Sequence, residues 1–177
     1  MMIRKFGQKA PMVPDSCFIA DGVELIGEIT LGENVNIWYG TVIRADINRI
    51  EIGAGTNIQD GSVIHVDTSG PDPDTGAVLI GKNVTVGHKA LLHACHIGDN
   101  CLIGMGAIVL SGAEIGEGCV VAAGSVVREN EKIPAGSLVA GLPAKVKGPV
   151  ADGWHEKILL SASRYVELGQ QHKKLIC

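Results

Sequence analysis

Six histidines are the residues of this chain best equipped for chemistry, and three of them, His65, His88 and His93, fall in one stretch. Neutral imidazole is the commonest nitrogen donor to divalent metals. Three such donors with a fourth position left open form the ligand set of a catalytic zinc site, whereas structural zinc closes all four positions with protein ligands. Co2+, Ni2+ or Fe2+ would suit the same donors, so zinc is the first expectation and not the only one. Spacing along the chain cannot by itself bring the three rings together. The elements that carry them must do so.

Those elements are set by an internal repeat of six. Aliphatic residues fall at Ile19, Leu25, Leu31, Ile37 and Ile43, then Ile52, Ile58 and Ile64, then Ile80, Val86 and Leu92, and from Ile97 through Ile103, Val109, Ile115 and Val121 to Val127. The residue four positions after each is almost throughout small or β-branched, as at Val23, Ile29, Val35, Thr41, Ile47, Thr56, Cys101, Ala107 and Cys119. Glycine follows the aliphatic directly at Gly32, Gly53, Gly81, Gly87, Gly98, Gly104 and Gly116, where a corner admits little else. Neither a period of two nor one of 3.6 fits. The pattern predicts a mainly β fold, a single-stranded left-handed parallel β-helix with three hexads per coil, and it places Cys101 and Cys119 inside as packing residues. The register breaks at three extra residues between Ile43 and Ile52, at a long insertion after Val66, and at one missing residue between Leu92 and Ile97.

The same register places the histidines. His65 follows Ile64 and His93 follows Leu92, three hexads later if the long insertion is extruded, so the two rings stack on adjacent coils. Arg44, after Ile43, joins that column. His88 and Gln59, counted from Val86 and Ile58, are expected to form a second column around the corner. A third imidazole from another face of a thin prism cannot easily turn toward the first two. A homotrimer solves this by letting His88 of one subunit meet His65 and His93 of the next. His96, His155 and His172 fit neither column and read as structural or exposed.

Residues 1–148 read as the β-helix with its exit segment. Residues 149–177 read as a C-terminal helix packed on the coil, with Asp152 as N-cap and a stripe of Ile158, Ala162, Tyr165 and Gly169 flanked by Leu159, Val166 and Leu168. The two form one structural domain. A net charge of −4 with no basic block excludes an electrostatic footprint for nucleic acid or an anionic membrane. The N-terminus has no apolar leader and no apolar run spans a bilayer, so a cytoplasmic protein is expected. Five cysteines without CxxC spacing argue against a disulfide framework or a cysteine zinc site.

Four segments, IRAD at 43–46, NIQDGSVIH at 57–65, VGHKALLH at 86–93 and GLPAKV at 141–146, resemble the γ-class carbonic anhydrases, and the resemblance covers nearly the whole chain. It implies a lyase that hydrates CO2 reversibly to bicarbonate with a metal-activated water, the metal held by His65, His88 and His93 across a trimer interface. It further implies that Arg44 and Asp46 form interface ion pairs, with Arg44 also near the bicarbonate. By the same resemblance Asn57 and Gln59 position substrate and activated water, Asp60 orients its neighbours, and Tyr165 borders the site.

The chain departs from the archetype at Ile47, which replaces a glutamate, and in the loop SGPDPDTG, which keeps only Asp72 and Asp74 of an acidic proton-exporting segment. Slow, absent or condition-dependent turnover is therefore expected. Two other readings remain open: an acyl-CoA thioesterase or acyltransferase, which hexapeptide β-helices also host, and a non-catalytic metal-stabilised assembly protein.

Overall fold

A computed structural model describes residues 1–176; Cys177 lies outside them. The six-residue period closes into a left-handed parallel β-helix with helix α1 (Trp154–Ile176) lying along it. Successive coils pair in register, Ile58 with Val86, Ile64 with Leu92, and Ile80 with Ile97. Ile64, Ile80, Val86 and Leu92 are therefore consecutive hexad starts, and the insertion after Val66 is extruded whole.

The prism has three faces. One is covered by α1 and includes Asn36–Ile37, Asn57–Ile58 and Thr85–Val86. The next, here the histidine face, is built from Val63–His65, Leu91–His93, Ile108–Val109 and Val126–Val127. The third stacks Val78–Ile80, His96–Ile97, Glu114–Ile115 and Lys132–Ile133. Ile43, Ile58, Ile64, Val86, Leu92 and Ile103 point inward and are fully buried. Each contributes roughly 1.5–3 kcal/mol by leaving water, so a thin core suffices when repeated along the coil. Cys101 and Cys119 lie in this interior as expected, and burial pushes the nearby Cys95 thiol up to about 12.

Glycine after the aliphatic serves close approach. At Gly87 an added Cβ would lie 2.7 Å from the backbone nitrogen of Met105 on the next coil. Gly87→Ala should therefore cost about 1–3 kcal/mol through forced separation of two coils, read as a lower midpoint in urea denaturation. The left-handed corner falls two residues later, on Gly61, Asn83, Asn100 and, with φ of 58°, on Lys89.

Two expectations are corrected. Ile47 is 48% exposed, and Ile50, fully buried opposite Ile29, takes its inward place. The cause is a register shift: Gly27 pairs with Ala45 but Glu28 pairs with Arg49, so residues 46–48 bulge out of the long strand Val42–Ile52. The helix is not capped by Asp152. It opens at Trp154 behind Gly153, whose carbonyl accepts from the Lys157 amide at 3.2 Å and whose φ of 77° a residue with a Cβ would resist.

The stripe of α1 that faces the coil is the expected Ile158, Ala162, Tyr165 and Gly169, with Tyr165 half-buried, although Leu168 faces solvent. Gly169 lets the helix descend onto the coil, since a Cβ there would sit 3.1 Å from Phe18 Cβ. Near the helix end, Gln170 donates to the Ser16 carbonyl at 2.8 Å and Lys173 to the Cys17 carbonyl at 3.2 Å. Among the described residues no helix is long and apolar enough to cross a membrane.

The bulge and the long loop are tied together. Asn48, almost fully buried, donates to the Asp67 carbonyl at 3.1 Å and the Thr75 carbonyl at 2.9 Å, clamping both rims of loop 67–76. Arg49 reaches the loop tip, donating to the Pro73 carbonyl at 2.6 Å and pairing with Asp74. Replacing Asn48 by Ala removes two hydrogen bonds to the exposed loop, at about 0.5–1.5 kcal/mol each. Asn48→Ala should lower the melting temperature and make loop 67–76 the first site cut in limited proteolysis.

Candidate metal centre

Backbone register alone puts Arg44, His65 and His93 in one column, each paired with the next across adjacent coils. Their side chains point outward at the edge of the histidine face. His65 Nδ1 and His93 Nε2 face each other at 3.2 Å. Two nitrogens about 2.05 Å from a tetrahedral metal are separated by roughly 3.3 Å, so this spacing fits a shared ion.

Each ring has an oxygen partner on its other nitrogen. His65 Nε2 donates to Asp46 Oδ1 at 3.2 Å, and Arg44 Nη1 donates to Asp46 Oδ2 at 2.5 Å. The bulge at 46–48 is what brings Asp46 back over the column. Burial raises the Asp46 carboxyl, but the hydrogen bonds from Arg44 and His65 outweigh it and hold the group below its usual range. His65 is pushed down, first by burial and then by the Arg44 charge, against the pull of Asp46. It is thereby kept in the neutral form that ligation requires.

His88 lies in a second column, but its neighbour is not Gln59. The corner stacks Tyr39, Asp60, His88 and Met105, as the amide bonds of Gly61, Lys89 and Gly106 to the coil below show. His88 Nδ1 donates to Asp60 Oδ2 at 2.8 Å, leaving Nε2 open. Gln59 sits one residue earlier, level with Gly87, because His88 is two residues beyond its aliphatic and Gln59 only one. Gln59 Nε2 donates to Asn57 Oδ1 at 3.1 Å, and Asn57 Nδ2 donates in turn to Thr85 Oγ1 at 2.9 Å. Thr85 meets Ser161 of α1 at 3.3 Å. Tyr165 packs edge-on against Trp38 at 5.4 Å, and its hydroxyl is pushed up by burial and by the Asp60 charge it faces.

Among the described residues no three histidine, cysteine, aspartate or glutamate side chains of one chain converge on a metal position. His88 precedes the strand that His93 ends, so the two stand at opposite edges of one face, separated by up to about 17 Å of extended chain. Between those edges runs an outward apolar column of Val42, Val63, Leu91, Ile108 and Val126. Val63 is 41% and Leu91 36% exposed. Sequence reading missed this column, although its signal is present: from Val42 onward the residue before the inward aliphatic is apolar on this face, whereas the third face carries Glu51, Leu79, His96, Glu114 and Lys132 there.

The remaining histidines do other work. His172 Nδ1 meets Tyr39 Oη at 2.8 Å within an aromatic cluster with Phe18 and Trp38, His96 reaches the Asp74 carbonyl at 3.4 Å, and His155 is exposed.

Residues 94–129 match the family described as bacterial transferase hexapeptide (six repeats). A carbonic anhydrase of Geobacillus kaustophilus is 44% identical over 98% of this chain and 92% of its own length. Mitochondrial gamma carbonic anhydrase 2 of Arabidopsis thaliana is 41% identical over 93% of this chain, which spans 59% of that longer relative. A solved hexapeptide transferase family protein from Anaplasma phagocytophilum superposes with a TM-score of 0.89 at 39% identity, covering 96% of this chain and 97% of that one. With stacked histidines on a hexapeptide coil and relatives of this identity matched over nearly all of its length, the chain belongs to the γ-class carbonic anhydrase family.

Proposed function

We propose that this protein hydrates CO2 reversibly to bicarbonate at sites shared between neighbouring chains of a homotrimer. Each site would hold a divalent metal, zinc first among those the donors suit, on His65 and His93 of one chain and His88 of the next. The observation that carries this reading is the pair of imidazole nitrogens facing at 3.2 Å on one edge of an apolar face whose other edge bears His88. Three copies of such a face, packed head to tail, close a ring and complete three equivalent sites.

A metal held there would supply Lewis acidity, lowering the pKa of water far enough to make hydroxide available near neutral pH. The chain's own residues do the rest. Asp60 holds the proton on His88 Nδ1, and Asp46 holds the proton on His65 Nε2, so that the opposite nitrogen of each ring is free to ligate. Both Nδ2 hydrogens of Asn57 are committed, to Thr85 Oγ1 at 2.9 Å and the Val84 carbonyl at 3.4 Å. Asn57 therefore acts through Gln59, orienting an amide whose Oε1 is left to aim the attacking water. Arg44, half-exposed beside the column, offers a guanidinium to the product bicarbonate while it anchors Asp46.

Proton export is the slow step in this reading. Ile47 carries no titratable group, and Asp74 is held by Arg49, which leaves Asp72 as the one aspartate of the loop tip without such a partner among the described residues. Metal content of the purified protein together with stopped-flow CO2 hydration tests the proposal. One metal per chain and metal-dependent hydration are expected. Hydrolysis of acyl-CoA without CO2 hydration would replace this reading with a thioesterase, and metal without either activity would leave an assembly protein.

A further inference from the structure

Of the three imidazoles, two have a carboxylate on the nitrogen that does not ligate. His93 has a serine: its Nδ1 meets Ser111 Oγ at 2.9 Å. Ser111 comes from the coil above, two residues beyond Val109, which pairs with Leu92. The shortened corner forces Ala94 to a φ of 45°, buried and with a Cβ, and Ala94 then accepts from the Gly112 amide at 2.7 Å. That bond holds Ser111 over the His93 ring. A non-glycine residue in this region costs on the order of 1 kcal/mol, and such strain collects where geometry serves a site.

We infer that Ser111 is the positioning residue for His93, and that it serves there because a hydroxyl both donates and accepts. The inference rests on the shared metal site proposed above. Asp46 only accepts, so it fixes the His65 proton on Nε2 and leaves His65 Nδ1 as a lone pair. Without metal, the facing His93 Nε2 carries its proton toward that lone pair at 3.2 Å, and the Ser111 hydroxyl donates to Nδ1. When Nε2 ligates, the ring proton must sit on Nδ1. Ser111 then turns its hydrogen away and accepts. A third carboxylate would lock one tautomer and add a negative charge beside a neutral ligand set. Ser111 also lines a cleft of about 680 Å³ beneath loop 67–76, shared with Asp67, Asp72, Glu129 and Lys132, so its hydroxyl hydrogen has space in which to turn.

The test is zinc affinity of the full-length protein by chelator competition, alongside nitrogen-15 spectra of the histidine rings in the metal-free and zinc-loaded wild type. Ser111→Ala is expected to bind zinc 10- to 100-fold more weakly with its oligomeric mass unchanged, the range for loss of an outer hydrogen bond. Ser111→Thr, which keeps the hydroxyl, should restore affinity to within about threefold. In the wild type the His93 proton should move from Nε2 to Nδ1 on loading. Equal affinity in Ser111→Ala, or a proton already on Nδ1 in the metal-free protein, would overturn the role of Ser111 alone. A wild type that binds no zinc, or a His93→Ala variant that binds it as well as wild type, would instead remove the shared site on which it rests.

Discussion

Chains carrying His88→Ala and chains carrying His93→Ala, each without retained metal when expressed alone, should recover metal and CO2 hydration when co-expressed. Either substitution removes one of three donors, and zinc should weaken by more than the roughly 100-fold that loss of an outer hydrogen bond costs. In a mixed trimer, however, one boundary joins the intact His65 and His93 of a His88→Ala chain to the intact His88 of a His93→Ala chain. Random assembly from equal amounts restores about a quarter of the wild-type sites, because only one boundary in three is complete and a quarter of the trimers are unmixed. Metal content per chain after gel filtration reads this directly. No recovery would mean that all three histidines act within one chain, which their placement at opposite edges of a face opposes.

The second large effect concerns the surface that must lie between those edges. Val63 and Leu91 are outward, adjacent in register and partly exposed, with inward neighbours Ile64 and Leu92 fully buried. Glutamate at both positions should leave the coil intact, since the interior is untouched, while placing unpaired carboxylates where a neighbouring chain would desolvate them. Several kcal/mol per buried ion opposes that. Val63→Glu with Leu91→Glu should therefore sediment as a single chain of 18.5 kDa instead of three, with an unchanged far-ultraviolet circular dichroism spectrum. Metal should be lost at the same time, because a lone chain offers only His65 and His93 to each ion. A trimer that survives both charges would move the interface to another face.

How far the sequence could be read depended on register. In-register parallel stacking repeats at a fixed interval, so counting hexads located the inward residues, put His65 beneath His93, and made Cys101 and Cys119 interior. The count failed where the interval changed. After Ile43 the count gives Ile47 the inward place, but three extra residues intervene and the paired strand shows that Ile50 takes it while Ile47 is expelled. At the corner, Gln59 lies one residue beyond its aliphatic and His88 two, so the count, applied strictly, pairs His88 with Asp60. The apolar column is legible too, in the residue before each aliphatic on that face.

The sequence by itself determined the coil, its three faces, the stacked histidines and the covering helix, because a period of six leaves the backbone no other regular way to bury its aliphatics. Tertiary structure alone decided which atoms meet. That Asp46 holds one nitrogen of His65 and that Asn48 clamps a loop after a bulge both depend on insertions. Such changes redirect side chains by single residues at corners, where no periodicity constrains them.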